Sequence, residues 1–475
     1  IYTSVNTLSL HDALPICRLG NAAPVALNGA TLSFFHTGDA ANYSETVGGL
    51  TIGASANTVA ASQAGETRTS ALTFASLSRT SGTVDFTGTG LGESDRNRIF
   101  ITGQADGLIG SWATVNGTNL AAYSSASGVY AAGDSVYTNI AARGPGSVIP
   151  DNAAFSARIN SVGESGSITL EGALTNRIRL IQQNTGTNAL VTMRDGAVYK
   201  TLMTEGVLIA SDKAALTIGE NAGDGLLMAL SSGGELMFVN DASNADLTIN
   251  AMVTNHTGAS SLTKCGVGNV TLAGAARYTG ATAINEGTLT FGNASDQMLT
   301  GVVSGAGSLI KKGAGILRLC GDNAAYTGEI RIDEGTVILN HSNALGTNVA
   351  GTVIASGATL DVGCSLAANA LTKHEPITVS GAGVGGKGAV YNSSTNTQSH
   401  ALGKVSLAGN TTFGGVANGR FDLWPDTLTP FLDLNGHTLS KTGSNLFCLV
   451  NVDVNPGAGH VDLKEGRFWV AYATR

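Results

Sequence analysis

The 475-residue chain is long enough to bury a large core, and its 13% of charged residues is too low for a disordered chain, which combines high charge with low hydrophobicity. Its 64 glycines and 5% aromatic residues argue against a conventional globular domain and suit short strands joined by tight corners. A formal net charge of −8 disfavours a nucleic-acid partner, and no run of about eighteen apolar residues marks a transmembrane helix.

The chain opens on Ile1 to Ile16, IYTSVNTLSLHDALPI. Leu8 to Ile16 is what a common sequencing adapter gives when translated in one frame, and Ile1-Tyr-Thr3 fits the adapter's upstream part. We read residues 1–17 as this artefact and set them aside from fold reasoning, as one sets aside an expression scar. Cys17 straddles the junction. On this reading the natural N-terminus is lost, and the lack of a signal peptide says nothing.

Residues 18–146 form a first segment of expected β-solenoid. Leu50-Thr-Ile52, Leu72-Thr-Phe74, Val84-Asp-Phe86 and Ile99-Phe-Ile101 alternate apolar and polar residues between turn clusters, the pattern of a strand with one buried side. Ser124 to Ala142, rich in Ser, Gly and Ala, reads as a loop, and Gly144-Pro-Gly146 with Pro150 as an irregular seam. Residues 147–475 continue with Ile168-Thr-Leu170, Ile178-Arg-Leu180, Val207-Leu-Ile209, Leu216-Thr-Ile218, Leu236-Met-Phe238 and Leu247-Thr-Ile249. None of these runs has the length or period of a helix.

The stretch from Leu262 to Leu339 holds two copies of one pattern, LTKCGVGNVTLAGAARYTGATAINEGTLTF from Leu262 and LIKKGAGILRLCGDNAAYTGEIRIDEGTVIL from Leu309. Leu262, Lys264, Gly266 and Gly268 match Leu309, Lys311, Gly313 and Gly315. After one inserted residue, Tyr278-Thr-Gly280 matches Tyr326-Thr-Gly328, and Glu286-Gly287 matches Glu334-Gly335. A self-similar unit at a fixed step marks a stacked array, because one short strand cannot bury its apolar side alone. Leu262 and Leu309, Val270 and Leu317, and Leu272 and Leu319 are expected to point inward and to stack as equivalents.

These residues resemble the autotransporter-associated β-strand repeat, also called the passenger-associated transport repeat. The resemblance implies a right-handed parallel β-helix (β-solenoid) with little or no α-helix, as part of the secreted passenger of a large Gram-negative surface protein. It is most specific at 262–291 and 309–339. It extends more weakly to Gly357–Asp361, Ile377–Val390, Val405–Gly409, Leu432–Lys441 and Val461–Val470, and upstream to Gly110–Thr118. The family ends in a membrane-inserted barrel or another anchor, and that part is expected to be missing from the C-terminus here. With about 20–25 residues per rung, residues 18–475 would give roughly 20 rungs, a rod on the order of 95 Å at the usual strand spacing.

Two stretches imitate catalytic or binding motifs. Gly381-Ala-Gly-Val-Gly-Gly386 matches a dinucleotide fingerprint and, with Lys387, nearly a phosphate loop, but Gly388 stands where a magnesium-binding hydroxyl is needed, no helix is expected after it, and no acidic residue lies about 20 positions on. A glycine-rich corner is the favoured reading. Asp333-Glu334 suggests a carboxylate pair for glycoside cleavage, yet neighbouring strand residues face opposite ways and Asp333 aligns with Asn285, so a solvated turn before Gly335 is favoured. The histidines outside the adapter run, from His36 to His460, have no ligand spacing. Cys265, Cys320, Cys364 and Cys448 form no CxxC pair and read as small apolar filler. No catalytic, cofactor-binding or metal-binding residue is assigned, and no cofactor is expected.

Two functions remain. The first is an extracellular structural passenger or stalk, adhesive in character, without catalysis. It would be secreted to the cell surface, be monomeric, and contact carbohydrate or host and cell-surface proteins, with membrane attachment only through the missing anchor. The alternative is a polysaccharide lyase or glycosidase, since the same fold hosts such enzymes.

Overall fold

The computed structural model describes residues 7–10 by backbone alone, together with 19–36, 42–63, 67–140, 147–161, 167–363, 375–424 and 431–471. Most of Ile1 to Ile16, with Cys17, the Gly144-Pro-Gly146 seam and Cys364, lies outside the described residues. Among the described residues the chain forms a parallel β-solenoid of about 16 turns, with 52% strand. Its helical elements, among the described residues, are two three-residue 3-10 turns, Asp134–Val136 and Val384–Gly386, and no helix is long and apolar enough to cross a membrane. The coils are fewer than the expected 20 because many are longer than 25 residues. Thr51 and Ser78 on successive turns are 27 residues apart, for example, and Asn392 reaches Arg420 across 28.

The chain divides into two compact units, the first comprising Ile1–Thr217, Ala229–Leu247 and Leu262–Gly268, and the second the remainder. In the first, three strands make one turn. Thr31–His36 stacks on Ala56–Gln63, Tyr43–Val47 on Ser70–Phe74, and Val25–Leu27 on Leu50–Ile52, all in parallel. The alternation read from sequence produces the core: Leu32, Leu50, Ile52, Leu72, Phe74 and Phe86 are fully buried. The backbone of Thr7–Leu10, in the segment set aside above, pairs in parallel with this stack, Thr7 opposite Thr31.

An antiparallel hairpin interrupts the stack. Ala113–Val115 pairs in parallel with Thr83–Thr87 but antiparallel with Asn119–Ser124, which in turn pairs antiparallel with Gly128–Ala131. The reversal comes at Asn116-Gly117, both at positive φ (53° and 61°), the backbone that tight hairpins require and that Asn-Gly adopts readily. Ser124 to Ala142 is therefore not one loop: it carries Gly128–Ala131 and, after the 3-10 turn, Tyr137–Ile140. Coiling then resumes in parallel from Tyr137–Ile140 through Ser156–Ile159, Leu180–Gln183 and Gly206–Ile209. The run Ile178-Arg-Leu180, which reads as one strand, straddles a corner: Thr175–Arg177 and Leu180–Gln183 lie in different sheets.

The second unit repeats the logic, with coils of about 20 residues at first (Val270 to Leu289 and Leu309) and of 25–28 residues further on (Thr352 to Ile377, Val405 and Leu432). One column runs Val270, Leu289, Leu309, Ile330, Thr352, Ile377, Val405 and Leu432, each opposite the next in parallel register. A neighbouring column contains Leu317, Val337, Leu360 and Val390. All are buried.

The inward positions expected for the repeat are confirmed: Leu262, Leu309, Val270, Leu317, Leu272 and Leu319 are all at most 1% exposed. Their stacking as equivalents is not. Leu309 stacks on Leu289, Leu317 on Gln297 and Val337, and Leu319 between Leu299 and Leu339. Leu262, on Ser261–Cys265, belongs instead to the sheet that contains Glu235–Asn240. The physical reason is coil length. One turn here takes about 20 residues, as from Thr288 to Ser308, so a step of 47 spans two turns and part of a third. The second copy is laid down one strand further around the coil. The repeat specifies a strand, a glycine corner and a second strand, and leaves open which faces they occupy.

Truncating Leu319 to Ala will cost about 2–5 kcal/mol, the usual penalty for emptying a packed site. Urea unfolding measures it, and an unchanged midpoint would mean that the side chain is not part of the stack.

Candidate functional site

In the second copy, the matched lysine, glycines and glutamate fall at one corner of the coil. Lys311 ends the strand Ser308–Lys311 and should, by alternation, point inward. It does, and is 1% exposed. Its Nζ donates to the carbonyls of Lys312 (2.6 Å) and Gly313 (2.5 Å) and approaches that of Glu334 on the next turn (3.5 Å). Three carbonyls match the three donors of an ammonium. The carboxylate of Glu334 accepts from the Gly313 N–H at 3.0 Å. Gly313 and Gly335 both adopt positive φ (76° and 73°), and a Cβ on Gly335 would lie 2.4 Å from the Gly313 carbonyl oxygen and 2.9 Å from Lys311 Nζ. The lysine, the two glycines and the glutamate form one clamp joining consecutive turns.

The clamp recurs at Lys441. Its Nζ donates to the carbonyls of Thr442 (2.6 Å) and Gly443 (2.8 Å) and approaches Glu465 O (3.4 Å), while the Glu465 carboxylate accepts from Gly443 N–H at 3.1 Å. Lys264 makes the same local contacts, to the carbonyls of Cys265 (2.8 Å) and Gly266 (2.5 Å). Burial pushes the amines of Lys311 and Lys441 down to about 8; Glu334 and Asp296 pull the first back up, and Glu465 the second. The tyrosines of the two YTG motifs are also interior. Tyr326 Oη donates to Gly307 O at 2.8 Å, Tyr278 Oη bonds Thr282 Oγ1 at 2.8 Å, and burial raises both phenols far above their usual value.

Beside the Lys311 clamp lies the feature most like a binding site. Asp333-Glu334 and the middle of the other lookalike stretch, Gly383–Gly385, come together as walls of one groove of about 370 Å³. It follows a coil corner across successive turns, from Ala314 through 333–335 and 356–357 to 383–385. Gly381 ends the strand Pro376–Gly381, Val384–Gly386 makes a 3-10 turn, and the chain then leads to the strand Val390–Asn392, so no α-helix N-terminus faces the groove. Asp333 and Glu334 are not opposed carboxylates. They share one wall, and backbone glycines form the other. Asp333 is 3.4 Å from the Arg331 guanidinium, and Glu334 caps Gly313. The arrangement offers hydrogen-bond acceptors and close access to backbone, and it lacks the facing acid and base that glycoside hydrolysis uses.

Some other ionisable groups among the described residues are buried in the coils. Asp422 is fully buried and takes a two-pronged contact from Arg420, with Nε at 2.8 Å and Nη2 at 2.5 Å. Cys448, opposite Asp422 on the next strand, is also buried, and burial raises its thiol to about 11, which suits a packed filler rather than a nucleophile. Glu375, 5% exposed, is raised by burial to about 8. No group of three His, Cys, Asp or Glu side chains could hold a metal among the described residues.

Residues 262–291 and 309–339 match the passenger-associated-transport-repeat family. The chain is similar to the adhesin BmaC autotransporter of Brucella suis biovar 1 (strain 1330), 26% identical over 340 residues. That alignment covers 70% of this chain and 9% of the relative, so the chain spans less than a tenth of the relative's length. No solved structure matches it significantly.

Proposed function

We propose, from its passenger-associated transport repeats and its likeness to an autotransporter adhesin, that this chain is a stretch of the extracellular passenger of a Gram-negative surface protein, adhesive and without catalysis. The observation that carries the reading is the alignment with the adhesin over 70% of the chain, on a fold of stacked parallel coils. Structural duties of the polar residues support it. The lysines hold carbonyls, the glutamates cap glycines, and Asp333 lies beside Arg331. In the natural protein this stretch sits at the cell surface, outside the outer membrane, as a monomer. Its uncharged Thr, Ser and Asn positions meet host or cell-surface partners along its side, where many weak contacts add up.

Two experiments test this. Beads coated with the purified chain should bind host-cell or matrix-coated surfaces above beads coated with an unrelated β-solenoid; equal binding counts against the adhesive role. A panel of acidic and neutral polysaccharides should show no turnover. Turnover lost in Asp333→Ala or Glu334→Ala would replace the scaffold with a carbohydrate-active enzyme.

A further inference from the structure

We infer that the corner groove beside Asp333 and Glu334 is a binding subsite for a neutral pyranose ring of a glycan, an inference that rests on the adhesive reading above. At about 370 Å³ the groove falls within the range of small-ligand sites, about 300–1,000 Å³. Its polar wall is rich in acceptors. A carboxylate offers about four lone-pair positions. Glu334 gives one oxygen to the Gly313 N–H, and Asp333 meets Arg331 through Oδ1, so acceptor capacity remains on both. Vicinal hydroxyls of a sugar ring are the donors that such a wall fits.

The charge balance selects the kind of ring. The Arg331 guanidinium lies 3.4 Å from both Glu329 and Asp333, and the Lys311 amine feels both Glu334 and Asp296, so these cations do not cancel the carboxylates and the wall stays acidic and lined with acceptors. Uncharged hydroxyls are suitable donors to such a wall. A uronic or sialic acid would bring its carboxylate against two others. A metal ion lacks ligands, since no group of three metal-binding side chains occurs among the described residues.

The remaining surfaces suit a ring lying flat. Gly357 is at φ 91° with open space where a Cβ would sit, and Gly385 likewise at 62°, so a ligand can rest on backbone there. Val384, 41% exposed on the far lip, supplies an apolar contact for the C–H face of a sugar. The exposed Ser356 lies between these walls.

The test titrates the full chain by calorimetry with neutral hexose oligosaccharides, sialylated and uronic oligosaccharides, and a hexalysine peptide. Ala314→Trp fills the groove from an exposed position, Asp333→Asn removes one acceptor, and Ser125→Trp serves as an exposed control in the other unit, with thermal melts confirming that each is folded. The expected result is binding of at least one neutral oligosaccharide, weakened about tenfold or more by Ala314→Trp, weakened by Asp333→Asn, and unchanged by Ser125→Trp. Failure of every neutral oligosaccharide to bind overturns the inference. So does neutral binding indifferent to Ala314→Trp, or an Ala314→Trp-sensitive preference for hexalysine or for acidic sugars. If coated beads still adhere after Ala314→Trp and no sugar binds, the subsite fails while the adhesive reading stands. Loss of adhesion by the unaltered chain would remove the reading itself.

Discussion

Replacing Lys311 by methionine will destabilise the coils around it by about 3 kcal/mol, although the two side chains are similar in length. The methionine cannot donate. The carbonyls of Lys312 and Gly313, which now receive an ammonium at 2.6 and 2.5 Å, would be left in a dry site. Hydrogen bonds from charged donors are worth about 1.5–3 kcal/mol each, and orphaned buried acceptors carry a desolvation penalty as well. The smaller figure allows for the cost of holding a cation away from water. A stacked array need not unfold in one step, so amide exchange across Ser308–Leu339 is the measurement to use. Unaltered protection there would show that the clamp contributes nothing.

The pH dependence separates this clamp from ordinary packing. The Lys311 and Lys441 amines titrate near 8 in the folded chain, below the value of about 10.4 for an unfolded lysine. Between these values the unfolded chain binds more protons, so stability from these groups rises as pH increases through that window and is penalised below it. Stability measured from pH 8 to 10 should therefore rise less steeply in Lys311→Met than in the unaltered chain. Parallel curves would mean that Lys311 titrates normally.

The second large effect is expected at Gly335. Alanine there must take φ of 73° and place its Cβ 2.4 Å from the Gly313 carbonyl oxygen and 2.5 Å from that of Gly315. A left-handed backbone alone costs a non-glycine residue roughly 1–2 kcal/mol, and displacing two carbonyls that already accept hydrogen bonds, Gly313's from Lys311 and Gly315's from the Thr336 N–H, brings the total to about 3–5 kcal/mol. Gly357 provides the comparison. It has a similar φ, 91°, but no atom within 4 Å of the Cβ position, so Gly357→Ala should cost only the backbone term, about 1–2 kcal/mol. Equal losses at the two sites, measured by urea unfolding, would locate the cost in the dihedral and not in the closeness of the turns.

These residues also show how far the sequence could be read. Alternation in Val270-Thr-Leu272 and Leu317-Arg-Leu319 reports which side chains go inward, because that depends only on the strand itself. It does not report the face of the coil, which depends on the length of every preceding turn. Leu309 was therefore correctly read as buried and incorrectly matched to its neighbour. The hairpin at Asn116-Gly117 lies in a stretch that resembles the repeat family, and its reversal is signalled only by the Asn-Gly pair. The clamp is visible in the sequence only as a matched lysine: alternation along Ser308–Lys311 aims Lys311 inward, but nothing local names its partners on the next turn. The usable signal is Lys-x-Gly followed by Glu-Gly one turn later, with Lys311 and Glu334 separated by 23 residues and Lys441 and Glu465 by 24. The groove was beyond reach. Asp333-Glu334 and Gly381–Gly386 each fail as a motif alone, and only the coil brings them to one corner.

The offset of the second repeat by one strand bears on how such a surface diversifies. When a gene segment encoding this unit is duplicated, the daughter need not present its parent's outward residues in the same direction. It can insert wherever a strand–corner–strand fits and still bring its own lysine, glutamate and glycines to fasten the turn. Lineages could thus lengthen the coil in fragments of a turn while each addition points a different set of side chains at the environment. Selection acting on recognition would then be partly released from selection acting on folding, since the fastening travels with the inserted segment.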